Sequence, residues 1–288
     1  MKKFIAILAI LVALCLAAAG CAAPAAEAAA PAGEEPPVEE AAPAEEAAEQ
    51  VELIVFAAAS LQETLTQIGE LYQAVAPNVT LIFSFDSSGT LKTQIQEGAD
   101  CDLFISAAQK QMNQLDAAAD PEVNTEGLDF VEQGTRVDLL ENKVALVVPE
   151  GNPANINSFA DIANCESIAL GNDDVPVGQY SIEILTNLGL LEGLESGSKI
   201  TYGSNVKEVT TQVSEGAVDC GIVYATDAFS AGLTIVDQAQ EDMCSQVIYP
   251  AAVLNISQHL EEAKAFLAYL QGEEATAVFE SVGFAPVG

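Results

Sequence analysis

The chain has no tryptophan, a single histidine, and only nine lysines and arginines together among 288 residues. With His259 alone, there is almost no scope for a histidine-based catalytic triad or for a metal site built on several imidazoles. Nine basic against 43 acidic residues give a formal charge of −34. Nucleic acid and anionic membrane surfaces are therefore poor partners. The serines have no histidine near them in sequence, and the carboxylates show no paired catalytic signature. No internal repeat is evident. These absences count against a hydrolase and leave binding as the better reading.

What is present begins with a leader. Lys2 and Lys3 precede an apolar run from Phe4 to Ala19 that is short for a membrane span and suits the core of an export signal. The string LAAAGC, ending at Cys21, looks like a bacterial lipoprotein box, with Ala18 standing where such a box usually carries leucine. Residues 1–20 are expected to be a signal peptide, and Cys21 to become a lipidated N-terminus. Several acyl chains there would anchor the protein stably to the cell membrane. Residues 21–50 are almost entirely Ala, Glu and Pro; proline interrupts any helix and the glutamates repel, so no core forms and a tether is expected. Fully extended it spans on the order of 100 Å. The protein is thus expected outside the cytoplasm, tethered to the membrane.

Four cysteines follow the tether: Cys101, Cys165, Cys220 and Cys244. Their spacing fits no zinc pattern and allows three pairings. Export permits oxidation. Cys165 with Cys220, each preceding a strand-like run, is the favoured pair, and buried free thiols are the alternative.

From residue 51 the pattern alternates. VELIVFAAA is an apolar β run, after which Leu61, Leu65, Ile68, Tyr72 and Val75 mark one face of a helix. NVTLIFSF, DLFISA, KVALVVP, SIALG, KITYG and CGIVYA read as further strands with helical segments between them, and the chain closes on two helices. This is the grammar of βαβ units and mainly parallel sheets. The length suits two α/β lobes, with crossovers expected near EQGTRVD and QVIYP. Lobe 1 would then comprise 51–134 and 248–288, and lobe 2 would comprise 135–247.

The candidate chemistry lies where strands hand over to helices. In FAAASLQE, three alanines clear the space before Ser60, and Glu63 completes a capping-box spacing. An N-cap accounts for Ser60 by itself, but its hydroxyl can also donate outward. Ser87, Ser88, Gly89 and Thr90 open a second helix. Pro176 and Gly178 bracket Val177 at a third start, and Ser204 or Asn205 precedes Val206 at a fourth. Helix N-termini carry free N–H donors and favour anions, and the carboxyl ends of strands in open α/β sheets face the ligand crevice.

The segments VFAAASL, SSGTLKTQIQEGADCDLFISAAQKQM, GNDDVPVGQY, GSNVKEV and GIVYATDA resemble the substrate-binding proteins of bacterial molybdate ABC importers, in order, over residues 52–286. The resemblance implies a two-lobed periplasmic-binding-protein fold of type II with molybdate or tungstate in the interlobe cleft. Carried over by position, it implies that Ser60 and Ser88 donate through hydroxyl and backbone. Val177 and Val206 would donate through backbone N–H, and Tyr224 through its phenol. No cofactor and no bare metal ion is implied, since molybdenum or tungsten would enter only as the oxyanion. An ABC permease is the implied partner of a monomeric receptor.

A tetrahedral dianion brings four acceptor oxygens and no proton, so a cage of uncharged donors replaces its water. Such a cage would reject phosphate for its proton and sulfate for its size. Ser88→Ala is expected to weaken binding while hardly moving the melting point of the empty protein. One departure from the family pattern is Asp86, where a small neutral residue is usual; its side chain is expected to turn away. Asp173 and Asp174, ahead of VPVG, raise the same question more mildly. The alternatives are a receptor for another tetrahedral anion, such as sulfate or thiosulfate, and more distantly an extracellular sensor module or a hydrolase.

Overall fold

The computed structural model describes residues 49–287. The signal peptide, lipidation at Cys21 and nearly all of the tether lie outside the described residues. The strands are β1 (Val51–Ala58), β2 (Val79–Asp86), β3 (Leu103–Ile105), β4 (Val137–Asn142), β5 (Val144–Val148), β6 (Ile168–Gly171), β7 (Ile200–Gly203), β8 (Cys220–Tyr224), β9 (Thr234–Gln238), β10 (Val247–Val253) and β11 (Ala285–Pro286). The helices are α1 (Gln62–Val75), α2 (Ser88–Gln96), α3 (Gln109–Leu115), α4 (Pro176–Asn187), α5 (Leu191–Ser196), α6 (Val206–Ser214), α7 (Ala225–Ser230), α8 (Leu260–Leu270) and α9 (Glu273–Ser281). Among the described residues, no helix is long and apolar enough to cross a membrane.

Two sheets form, in the orders β11-β4-β10-β3-β1-β2 and β7-β6-β8-β5-β9. The core of each is a parallel trio produced by βαβ crossovers: β2-β1-β3 in the first and β7-β6-β8 in the second. Beside each trio lies an antiparallel strand that has just arrived from the other lobe, β10 in the first and β5 in the second. Each sheet is therefore mixed rather than mainly parallel, because a strand entering from the far lobe comes in against the direction of the trio. The two sheets share one strand order without any sequence repeat to announce it.

The first crossover comes later than the sequence suggests. Val137–Asn142 pairs with β10 and β11 in the first sheet, so the segment near EQGTRVD belongs to lobe 1 and the chain crosses at Lys143. The return is made by residues 239–246, and β10 begins at Val247. Lobe 1 is thus 51–142 with 247–287, and lobe 2 is 143–246.

Packing follows the periodicity of the elements. Leu65, Ile68 and Tyr72 of α1 are buried, and the Tyr72 ring lies 4.9 Å from that of Phe266 on α8. Val75 continues the sequence stripe but is 60% exposed at the end of the helix, where no element remains to cover it. One apolar core runs through both lobes, and a smaller one, with Phe56, Leu91, Ile95 and Phe104, fills the other face of the first sheet. All four described cysteines are free thiols. Cys165 and Cys220 nevertheless lie against each other, thiol to thiol, inside lobe 2.

Candidate functional site

The six parallel strands end on the same cleft. Ala58 ends β1 and Ala59 and Ser60 follow it, Asp86 ends β2 and Ser87 and Ser88 follow it, and Ala107 comes after β3. Val175 and Pro176 follow β6, Val206 follows β7, and Tyr224 ends β8. Together these residues line one small cavity of about 10 Å3 between the lobes. Val177 is fully buried in the first turn of α4, immediately beyond the lining residue Pro176. The structure therefore brings together the regions of all five residues singled out in the sequence.

Each junction has a local cause. At α2, Ser87 is the cap: its hydroxyl accepts from Thr90 N–H at 3.1 Å, which leaves Ser88 as the first helical residue. The Ser88 hydroxyl accepts the Ala107 N–H at 2.9 Å and is buried. At α6, Asn205 caps through its side chain onto Glu208 N–H at 3.1 Å. At α4, Pro176 sits in the first turn, where its missing N–H costs nothing. Gly178 is required there, since a Cβ would fall 2.3 Å from the Gly171 carbonyl oxygen. Among the described residues, no backbone or side-chain acceptor pairs with the N–H of Ser60, Ser88, Val177 or Val206. These are the unpaired donors that a helix start leaves over.

The capping box at Ser60 does not form. Ala59–Leu61 is a single 3₁₀ turn, and α1 begins after it without a side-chain cap. The Ser60 hydroxyl instead shares a hydrogen bond with the Tyr249 hydroxyl at 3.0 Å. Tyr249 also accepts from Asn142 Nδ2 at 3.2 Å, and the same amide reaches Thr226 Oγ1 at 2.8 Å. Asn142 stands at the crossover, so this network ties the hinge to the cleft. Tyr249 and Asn142 escaped the sequence reading, because their partners are 189 and 84 residues distant.

Tyr224 is fully buried, and its hydroxyl donates to the Ala107 carbonyl at 3.4 Å, across the cleft. Burial raises its pKa far above the ordinary phenol value, as it does for Tyr249. Both phenols therefore stay protonated and remain able to donate. Among the described residues, neither lysine nor arginine lines the cavity.

Asp86 does line it, so the expected pocket of donors alone is corrected. One carboxylate oxygen accepts the Ser87 N–H at 2.7 Å and faces Asn205 Nδ2 of the other lobe at 3.4 Å. The side chain is occupied by these donors at the rim, yet it remains part of the wall. A proton-bearing anion would therefore find an acceptor nearby, which weakens the expectation that protonation alone excludes phosphate.

A cleft between two α/β lobes, walled by helix starts and hydroxyls, is built to hold a small ligand. The family model for the bacterial extracellular solute-binding protein matches residues 53–285, and the chain belongs to that family. It is 38% identical over 238 residues to YvgL of Bacillus subtilis (strain 168), provisionally assigned as an ABC transporter substrate-binding lipoprotein, covering 82% of this chain and 87% of that one. It is 32% identical over 244 residues to the molybdate-binding protein ModA of Escherichia coli (strain K12), covering 82% and 90%. Among solved structures it is similar to the substrate-binding domain of a provisionally assigned molybdenum ABC transporter from Clostridium difficile. That match has 34% identity and a TM-score of 0.61, over 83% of this chain and all of the other.

Proposed function

We propose that this protein captures molybdate or tungstate outside the cytoplasm and delivers it to an ABC permease, held at the membrane through a lipidated Cys21. The oxyanion would lie among Ser60, Ser88, Val177, Val206 and Tyr224. The hydroxyls of Ser60, Ser88 and Tyr224 and the four helix-start N–H groups would replace its water. The observation that carries this reading is the convergence of six strand ends on one small cavity with unpaired N–H donors and no cation. Uncharged donors satisfy a dianion by charge-assisted hydrogen bonds, each worth about 1.5–3 kcal/mol. They do so without the deep electrostatic well that a lysine would create, which suits a carrier that must release its cargo. The molybdate-binding relative supports the choice of anion. The protein would act as a monomer without a cofactor.

Asp86 favours a second reading, in which the anion carries a proton, as hydrogen phosphate does. Calorimetric titration with molybdate, tungstate, sulfate and phosphate separates the two. Molybdate and tungstate are expected to bind at one site, with sulfate and phosphate at least about 100-fold weaker, a difference of roughly 2.7 kcal/mol. Phosphate binding that matches molybdate and disappears in Asp86→Asn would establish the second reading in its place.

A further inference from the structure

Lys207 lies one residue beyond Val206, on α6 of lobe 2, and does not line the cavity. Its ammonium spans the cleft, donating to Glu63 of lobe 1 at 2.9 Å (Oε1) and 2.7 Å (Oε2). On its other side it stands 3.1 Å from Asp227 Oδ1 of lobe 2. An ammonium has three N–H donors; two are spent on Glu63, and the Asp227 contact is an ion pair outside hydrogen-bond geometry. Asp227 is fully buried on α7, and among the described residues neither of its carboxylate oxygens accepts a well-aligned hydrogen bond. Glu63 is half exposed and sits in the first turn of α1, directly after the Ser60 turn.

We propose that Glu63 and Lys207 form a charge latch that holds the lobes closed, with Asp227 keeping the lysine aimed at the cleft when the lobes part. Asp227 cannot leave lobe 2, so Lys207 stays with it in any arrangement of the lobes. Only Glu63 has to arrive and depart. The pair lies beside two donors of the cavity, Ser60 and Val206, so it forms when those donors approach each other. Glu63 and Lys207 are therefore positioning residues that touch no anion themselves. The effect on binding rests on the oxyanion reading above, whereas the effect on lobe closure does not.

The sign of the effect separates a latch from simple electrostatics. Glu63 adds negative charge near an anion site, so without a latch its removal would strengthen anion binding. With a latch, Glu63→Gln is expected to release molybdate about two- to fivefold faster, the range of a partly exposed ion pair. Its melting point should be unchanged, and Lys207→Arg, which keeps the bridge, should behave as wild type. In small-angle X-ray scattering without added anion, Glu63→Gln should have a larger radius of gyration than wild type at low salt, and the two should converge at high salt. Equal radii at low salt, or molybdate binding in Glu63→Gln that equals or exceeds wild type, would overturn the latch. If wild type takes up no oxyanion, the proposed function fails, while scattering still decides the latch.

Discussion

The two lobes carry the same strand order but meet the cleft with different chemistry. Lobe 1 presents serine hydroxyls over a floor of Ala58, Ala59 and Ala107. Lobe 2 presents main chain, with Val177 and Val206 turning their side chains into its core and leaving their N–H groups free. Tyr224 is its one hydroxyl at the cavity. A donor on a side chain can be deleted by one substitution, whereas a donor on the backbone can only be displaced. Lobe 1 should therefore be chemically fragile and lobe 2 geometrically fragile.

The largest effect should come from moving lobe 2's backbone. In Gly178→Ala the new Cβ would meet the Gly171 carbonyl oxygen at 2.3 Å, so the start of α4 must shift. Molybdate affinity measured by calorimetry is expected to fall by roughly 100-fold or more, as donors to a charged group are lost. Ser88→Ala in lobe 1 should cost about tenfold or more in affinity. The structure also revises the expectation for its stability. Ser88 Oγ accepts the Ala107 N–H, so truncation orphans a buried donor, at about 1–3 kcal/mol. A clear fall in the melting point of the empty protein should accompany the affinity loss.

A third test concerns the buried charge behind lobe 2. Burial, only partly offset by Lys207, raises the Asp227 carboxyl from 3.8 to about 6. The folded protein thus holds that proton more firmly than the unfolded chain. The resulting stability is fully present below about 3.8 and is lost as the pH rises through about 6. Denaturant unfolding of wild type relative to Asp227→Asn should show this loss, on the order of 3 kcal/mol, across that window. The smallest effect on binding should come from Val206→Ala, within about threefold in affinity, although trimming a buried side chain costs roughly 1–3 kcal/mol of stability. A large affinity loss there would erase the contrast between the lobes.

The sequence revealed what is local. Helix starts at Ser88, Val177 and Val206 are written in adjacent residues, as are the parallel strands that place them. Ser60 was found for the wrong local reason: the S-x-x-E spacing suggested a cap, but Glu63 instead pairs with Lys207, 144 residues away. Tyr224 lies in an apolar run and was reached only through resemblance. The crossover at Lys143 was missed because Val137–Asn142 is a strand only by virtue of β10 and β11 beside it. Tyr249, Asn142 and Asp227 draw their roles from partners that the fold supplies, and no spacing announces them.

The most direct measurement is anomalous diffraction at the tungsten edge from crystals grown with tungstate. The expected result is one strong peak between the lobes, within hydrogen-bonding reach of Ser88 and the Val177 N–H, with no lysine or arginine in contact. A peak held by a cationic side chain, or none in the cleft, would contradict the claim that uncharged donors from both lobes grip the anion.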